Sequence, residues 1–295
     1  MTTVSPIFTD RHRTPLRRVA VRVAGYSALA VGVVLYLGPF LIQAVTSFKT
    51  NPDAVNNPLS LVPDPVTGEA WRTVAGDNPA IDLPVSRWLA NSFIVTVSVT
   101  IGRVVIDSLA GYALARLRFP GRRLLVSCLL AVLAVPGIVL LIPRFLVLTR
   151  LDMFNTYWGM IVPLFCDATG ILLMRTAFQS VPYELEEAAI VDGAGALRRF
   201  RSVMLPLTYP ALVTVLILSF QGSWNEFTHF LVASSDPDLA TLNLGIARLS
   251  AGDLRGSTQF PLKLALATMS IVPIALVYVF FSRHFTRSVA TSGIK

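Results

Sequence analysis

Apolar residues in this chain do not alternate with polar ones. They gather into long blocks separated by short basic or Pro-rich stretches. A helix needs about 20 consecutive apolar residues to cross a bilayer. On that measure the pattern predicts six spans, at 23–45, 88–114, 124–148, 157–178, 207–232 and 262–281. The expected fold is an all-α integral membrane protein: a transmembrane domain over 23–282, a basic N-terminal segment over 1–22 and a tail over 283–295. Gly38-Pro39, Pro136-Gly137, Pro143, Pro163 and Pro273 interrupt the blocks. Such breaks are tolerated where neighbouring helices or water satisfy the freed backbone groups, and they serve either as hinges or as static irregularities.

An even number of spans places both termini on one side. Arg11, Arg13, Arg17, Arg18 and Arg22 precede the first span; Arg116, Arg118, Arg122 and Arg123 follow the second; Arg198, Arg199 and Arg201 follow the fourth; Arg283 and Arg287 follow the sixth. All fall on one face, which the positive-inside bias makes cytoplasmic. The opposite face carries a first loop at about 48–87, where Asp53, Asp64, Glu69, Asp77 and Asp82 accompany Lys49, Arg72 and Arg87. Pro52, Pro58, Pro63, Pro65, Pro79 and Pro84 argue against long helices in that loop. The basic 11–22 stretch superficially resembles a secretion signal, but the apolar run behind it is too long and lacks an A-x-A exit, so it reads as an anchor.

Composition agrees. The 295 residues are 54% hydrophobic and 14% charged, against about 25% charged in soluble domains, and the mean hydropathy is +0.64. The net charge of +8 would admit nucleic acid as a partner, but its arginines cluster at the ends of apolar runs, where lipid headgroups lie. Cys128 and Cys166 sit inside apolar runs and imply neither a disulfide framework nor a metal site.

The stretch at about 179–206, between spans four and five, is more than a connector, since median connections run about 4 to 6 residues. It reads as two short helices joined at a hinge. Pro182 suits a first helical turn, Glu184, Glu186 and Glu187 complement the positive helix N-terminus, and Gly193 and Gly195 permit a sharp turn. Leu185, Ala188 and Ala189 share one face, where the alanines let another surface come close. A helix lying on lipid would favour Lys or Arg on its polar face instead.

Polar residues inside the spans are the candidates for a solute path, since each is costly unless paired or facing water. Arg103 and Asp107 lie four apart on the second span. Unpaired at mid-bilayer, each would cost about 2.5–3.5 kcal/mol, which pairing with one another would partly offset. That pair reads as a structural bridge or as part of the path. Asp167 either faces a cavity or caps a broken helix near Gly170. Trp224, Asn225 and Glu226 fall in the second half of the fifth span, where an aromatic beside hydrogen-bonding groups suits a path for a polar solute and equally suits helix packing. His229 reads as a structural hydrogen-bonding residue.

Glu187-Ala188-Ala189, Gly193 and Val203-Met204-Leu205-Pro206 resemble the signature of the membrane permeases of binding-protein-dependent ABC importers: E-A-A, three residues, G, nine residues, I-x-L-P. The spacing matches without a gap, and Val203 replaces the common Ile. The resemblance implies that this loop is a coupling helix seated in a groove on a separate ATPase, with Glu187, Ala188, Ala189 and Gly193 at the contact and Leu205 and Pro206 fixing re-entry into the fifth span. Asn91-Ser92, Gly111-Tyr112-Ala113-Leu114-Ala115-Arg116, Trp224-Asn225-Glu226-Phe227 and Thr241-Leu242 are similar to the carbohydrate subgroup, specifically its smaller maltose-type permease. The tail Thr291 to Lys295 matches that subgroup more loosely.

By that resemblance the partners are a second permease subunit, usually non-identical, two cytoplasmic P-loop ATPases carrying ATP and Mg, and an extracytoplasmic solute-binding protein, in a bacterial or archaeal cytoplasmic membrane. The chain itself would be non-catalytic and bind no cofactor or metal. Independently, G-x-x-x-x-G-K-[ST] cannot be drawn, because none of Lys49, Lys263 and Lys295 follows a glycine. An ion-coupled transporter would be expected to show inverted repeats and midplane ion ligands, and leaves the Glu187 to Pro206 spacing unexplained. A membrane enzyme finds no metal spacing in His12, His229 and His284.

Overall fold

The computed structural model describes residues 15–252, 254 and 259–292, with side chains described over 22–252, 254 and 259–281. Arg11, His12, Arg13 and most of the tail motif, with the side chains of Arg17, Arg18, Arg283, His284 and Arg287, lie outside the described residues.

Among the described residues, helices at 22–46, 85–116, 157–180 and 260–281 are long and apolar enough to cross a membrane, and two bent helix pairs raise the number to as many as six. The first belongs to α1 (Pro15–Thr46). Two short helices follow in the Pro-rich segment, α2 (Asn51–Asn56) and α3 (Glu69–Ala75). Then comes α4 (Val85–Arg116), which exposes apolar residues such as Ile94, Val97, Ile101 and Val105 and buries polar ones such as Asn91, Ser92, Asp107 and Ser108 against its neighbours.

The predicted third span is not one straight helix. It is α5 (Arg122–Leu133), a 3-10 turn at Gly137–Leu140 and α6 (Leu141–Arg150), bent by 100° at the break. Pro136 supplies no N–H and disfavours helix in the residue before it, so the chain turns there. The fourth span is likewise interrupted, as α7 (Tyr157–Ile161), a 3-10 turn at Val162–Leu164 and α8 (Ala168–Ser180).

Beyond α8 lie α9 (Tyr183–Val191), α10 (Ala196–Arg199), a π-turn at Phe200–Met204 and the short α11 (Leu205–Leu207). The fifth span is α12 (Tyr209–Trp224), which meets the segment before it at 84°. It stops at Trp224, short of the predicted 232. The chain then breaks before α13 (Thr228–Ala233), and after a 3-10 turn at Pro237–Leu239 come α14 (Leu242–Ala251) and α15 (Phe260–Ser292).

The bundle is built around α4, which packs against α8 and α12; α15 packs on α12, and α1 lies outermost on α15. Gly111 permits the α4–α8 approach, because a Cβ there would sit 2.7 Å from Met174 Cβ and 2.9 Å from the Arg175 amide nitrogen. Gln43 of α1 donates a 3.3 Å hydrogen bond to Thr268 of α15, while Tyr26, Leu29, Val34, Leu35 and Tyr36 are exposed, a surface suited to lipid or a partner helix. The buried residues form three clusters stacked along α4, around Trp88 and Trp224, around Val95, Met160 and Phe230, and around Tyr112, Phe178 and Phe200.

Candidate functional site

The third cluster supports α9. Glu187 and Ala188 are exposed, Ala189 is half-buried, and Leu185 and Ile190 on the same helix are exposed too. The helix ends in a Schellman motif: Gly193 N–H bonds the Ile190 carbonyl and Ala194 N–H the Ala189 carbonyl, both at 2.9 Å. Gly193 has φ +74° and nothing within 4 Å of where a Cβ would stand, so backbone conformation alone calls for glycine. Leu205 is half-buried and Pro206 exposed in α11, where the chain bends into α12.

Behind that exposed face lies a polar knot that the sequence pattern did not isolate. Glu186, 4% exposed, points into the bundle, where its carboxylate accepts a 3.0 Å hydrogen bond from the Tyr112 hydroxyl. Arg116 Nε stands 3.6 Å and Arg199 Nε 3.4 Å from the same carboxylate. Arg116 also donates to the Phe178 carbonyl at 3.1 and 2.6 Å and to that of Val181, capping the end of α8. Its guanidinium carbon lies 4.4 Å over the Tyr183 ring. Tyr112, Phe178 and Phe200 close the knot with ring centroids 5.3 to 6.0 Å apart. One acid thus joins α4, α8, α9 and α10. The available signal was the four-residue spacing of Tyr112 and Arg116 at the end of an apolar run, with nothing local to name Glu186 as their partner.

Arg103 and Asp107 do not pair with each other. Arg103 Nε donates 2.7 Å to the Leu164 carbonyl, and Asp107 accepts from the Asp167 amide at 3.1 Å. The two side chains of α4 therefore occupy backbone groups freed where the fourth span breaks. Asp167 caps α8, accepting from Gly170 N–H at 3.0 Å, the second of its two predicted roles. Gly170 lies so near Asp107 that a Cβ would fall 2.2 Å from Oδ2.

Trp224 ends α12 and is turned inward at 3% exposure. It donates 3.0 Å to the Ser270 carbonyl and stacks on Phe220, with Phe93 edge-on to it. Asn225 is exposed and lines a cavity of about 430 Å3 with Phe40, Gln43, Asn243 and Ser270 among its walls. Glu226 accepts the His229 amide at 2.7 Å, and the buried His229 ring sits 3.1 Å from the Gly159 carbonyl. These residues therefore shape the break after α12 rather than lying along a helix. Arg103 reaches α12 at Gly222, its Nη1 3.6 Å from where a Cβ of that residue would stand.

A bundle of apolar helices of this kind is a membrane protein, and its similarity to known proteins makes it a permease of the ABC importer class. The chain belongs to the family described as the binding-protein-dependent transport system inner membrane component, whose family model matches residues 107–291. The sn-glycerol-3-phosphate transport system permease protein UgpE of Pectobacterium atrosepticum is 31% identical over 280 residues, 93% of this chain and 98% of its own. UgpE of Yersinia enterocolitica is 30% identical over 268 residues, 90% and 94% of the two chains. The fold is similar to that of a chain in the crystal structure of a bacterial ABC transporter involved in the import of the acidic polysaccharide alginate, with a TM-score of 0.77 and 23% identity, covering 95% of this chain and 100% of that one.

Proposed function

We propose that this chain forms half of the translocation pathway of an ATP-driven importer for a sugar or sugar derivative, in a bacterial or archaeal cytoplasmic membrane. The observation that carries the reading is the exposed α9, backed by the buried Glu186 knot: a surface for a partner that moves four helices at once. Glu187, Ala188, Ala189 and Gly193 contact a P-loop ATPase, and Leu205 and Pro206 pass its movement into α12. Residues 1–22 and 283–295 lie on the same cytoplasmic side, and the segment at about 48–87 lies outside. ATP and Mg are bound by two copies of the ATPase. An external binding protein delivers the solute, and a second, non-identical permease completes the path. Closure of the ATPase pair then shifts the bundle between two arrangements, one open to each side.

The cargo class is supported by the two UgpE relatives, named for sn-glycerol-3-phosphate transport. It is supported also by the amides of Asn225 and Gln43 at one cavity, where Asn243 and Ser270 bond one another and Trp224. Asn225 and Arg103 line the path in this reading, while Trp224, Glu226 and Asp107 hold the breaks that give it shape.

The test is to affinity-purify the chain from its native membrane in mild detergent and identify what accompanies it by mass spectrometry. A P-loop ATPase and a second permease are expected. Recovery of the chain alone, repeated after crosslinking in intact cells, would overturn the reading in favour of an ion-coupled transporter.

A further inference from the structure

Near the end of the bundle that carries α9, α5 and α8 flank an open cleft of about 580 Å3 lined by Arg122, Arg123, Val126, Ser127 and Arg175, with Arg123 and Ser127 exposed. No carboxylate lines it, and among the described residues none of its arginines forms an ion pair. Arg122 is already committed: it donates to the Ala115 carbonyl at 3.1 Å and to that of Leu117 at 3.4 Å, closing the end of α4. Among the described residues Arg123 and Arg175 have no such acceptors, and Arg175 Nε is buried without a partner there. The cleft also stands at the start of α5, which has no capping side chain and no acid in its first turn, so the helix adds positive potential to the arginines.

Three like charges facing one cleft repel, and an anion that enters relieves that repulsion. Guanidinium forks match tetrahedral oxyanions in two-point contacts, and the Ser127 hydroxyl adds a donor. Exposed Leu124 and Leu125 beside the arginines form an apolar margin of the kind that faces lipid.

We propose that the cleft between α5 and α8 binds a phosphate group through Arg123, Arg175 and Ser127, with Arg122 holding its floor. The phosphate belongs either to an anionic phospholipid headgroup entering from the bilayer or to a soluble phosphate. Bound there, it ties α5 to α8, the helix that runs directly into α9, so occupancy stiffens the end of the bundle that meets the partner. The inference does not depend on the cargo proposed above.

The test uses the full chain, with whatever subunits purify with it, in nanodiscs of phosphatidylcholine alone or with phosphatidylglycerol, at constant chloride. Thermal stability is measured in each, and again in the phosphatidylcholine discs with added inorganic phosphate. A rise in Tm with phosphatidylglycerol identifies the lipid source, and a rise with inorganic phosphate the soluble one. In either case Arg123→Gln and Arg175→Gln should each raise the phosphate or phosphatidylglycerol level needed for half of the Tm rise by about tenfold or more, the factor for one lost charge-assisted hydrogen bond, and Arg175→Lys should raise it less. If Arg175→Gln does not fold, the exposed Arg123 carries the test. No rise with either addition, or an equal rise in Arg123→Gln, overturns the proposal.

Discussion

The hydroxyl of Tyr112 and the carboxylate of Glu186, 74 residues apart in the chain, meet in a 3.0 Å hydrogen bond inside the bundle. The contact joins the end of α4 to the hidden side of α9. It places two neighbouring glutamates in opposite roles, with Glu186 facing in and Glu187 facing out.

Replacing these two acids should separate stability from coupling. Glu186→Ala leaves Arg116, whose side chain is 1% exposed, without its counter-charge, and should cost about 3 kcal/mol, the scale for breaking a buried pair. Glu187→Lys changes an exposed residue and should stay within about 0.5 kcal/mol of the parent. Thermal unfolding in detergent measures both. In the coupling role proposed for α9, Glu187→Lys inserts and folds yet loses ATP-dependent uptake, and normal uptake would remove that role.

Gly193→Ala tests the turn that ends α9. Since the site is sterically open, the expected cost of about 1 to 2 kcal/mol comes from the left-handed backbone alone. Gly193→Asn should recover part of it, because Asn tolerates that region. Equal stability of all three proteins would show that the turn is not held at φ +74°.

Gly170→Ala should destabilise the protein by about 1 to 3 kcal/mol, the range for overpacking, because the new methyl group meets Asp107 Oδ2. Asp107→Ala alone should also destabilise, by removing the acceptor of the Asp167 amide. The double variant should be better than the sum of the two, since each removes the other's clash or partner. Strict additivity in a thermal-unfolding cycle would contradict the contact.

The segment between α1 and α4 should loosen in acid. Asp53 accepts from Asn57 Nδ2 at 3.0 Å and from the Asp64 amide at 3.2 Å. These bonds, in that order, with Lys49 nearby, hold its carboxyl below the ordinary carboxylate range. A lowered pKa in the folded state gives support that is complete above about pH 4, the unfolded value, and is lost as pH falls through the lower folded value. Protease cleavage at 51–84 should therefore rise below about pH 4 in the parent, and Asp53→Asn should be cut at a rate that varies little over that interval.

The sequence alone determined that the chain lives in lipid, roughly where its apolar spans lie and which loop carries the permease signature. Those features are local: hydrophobic length is set by bilayer thickness, and the Gly193 turn by its own backbone preference. Asp167 was narrowed to two roles because an acid three residues before a glycine at a helix start is itself a local pattern. Pro136-Gly137 marked the break in the third span but not its angle, and the end of the fifth span at Trp224 was not legible, because apolar residues fill a broken helix as readily as a continuous one. Tertiary structure decided the polar partnerships. Arg103 and Asp107 look like partners in sequence, yet their acceptor and donor lie about sixty residues on, at Leu164 and Asp167. Glu186 reads in sequence as one of three acids at a helix start and Arg199 as one of a basic cluster, until the fold brings them to each other and to Tyr112 and Arg116. A buried charge takes whatever partner the packing brings within reach, and that depends on which helices become neighbours.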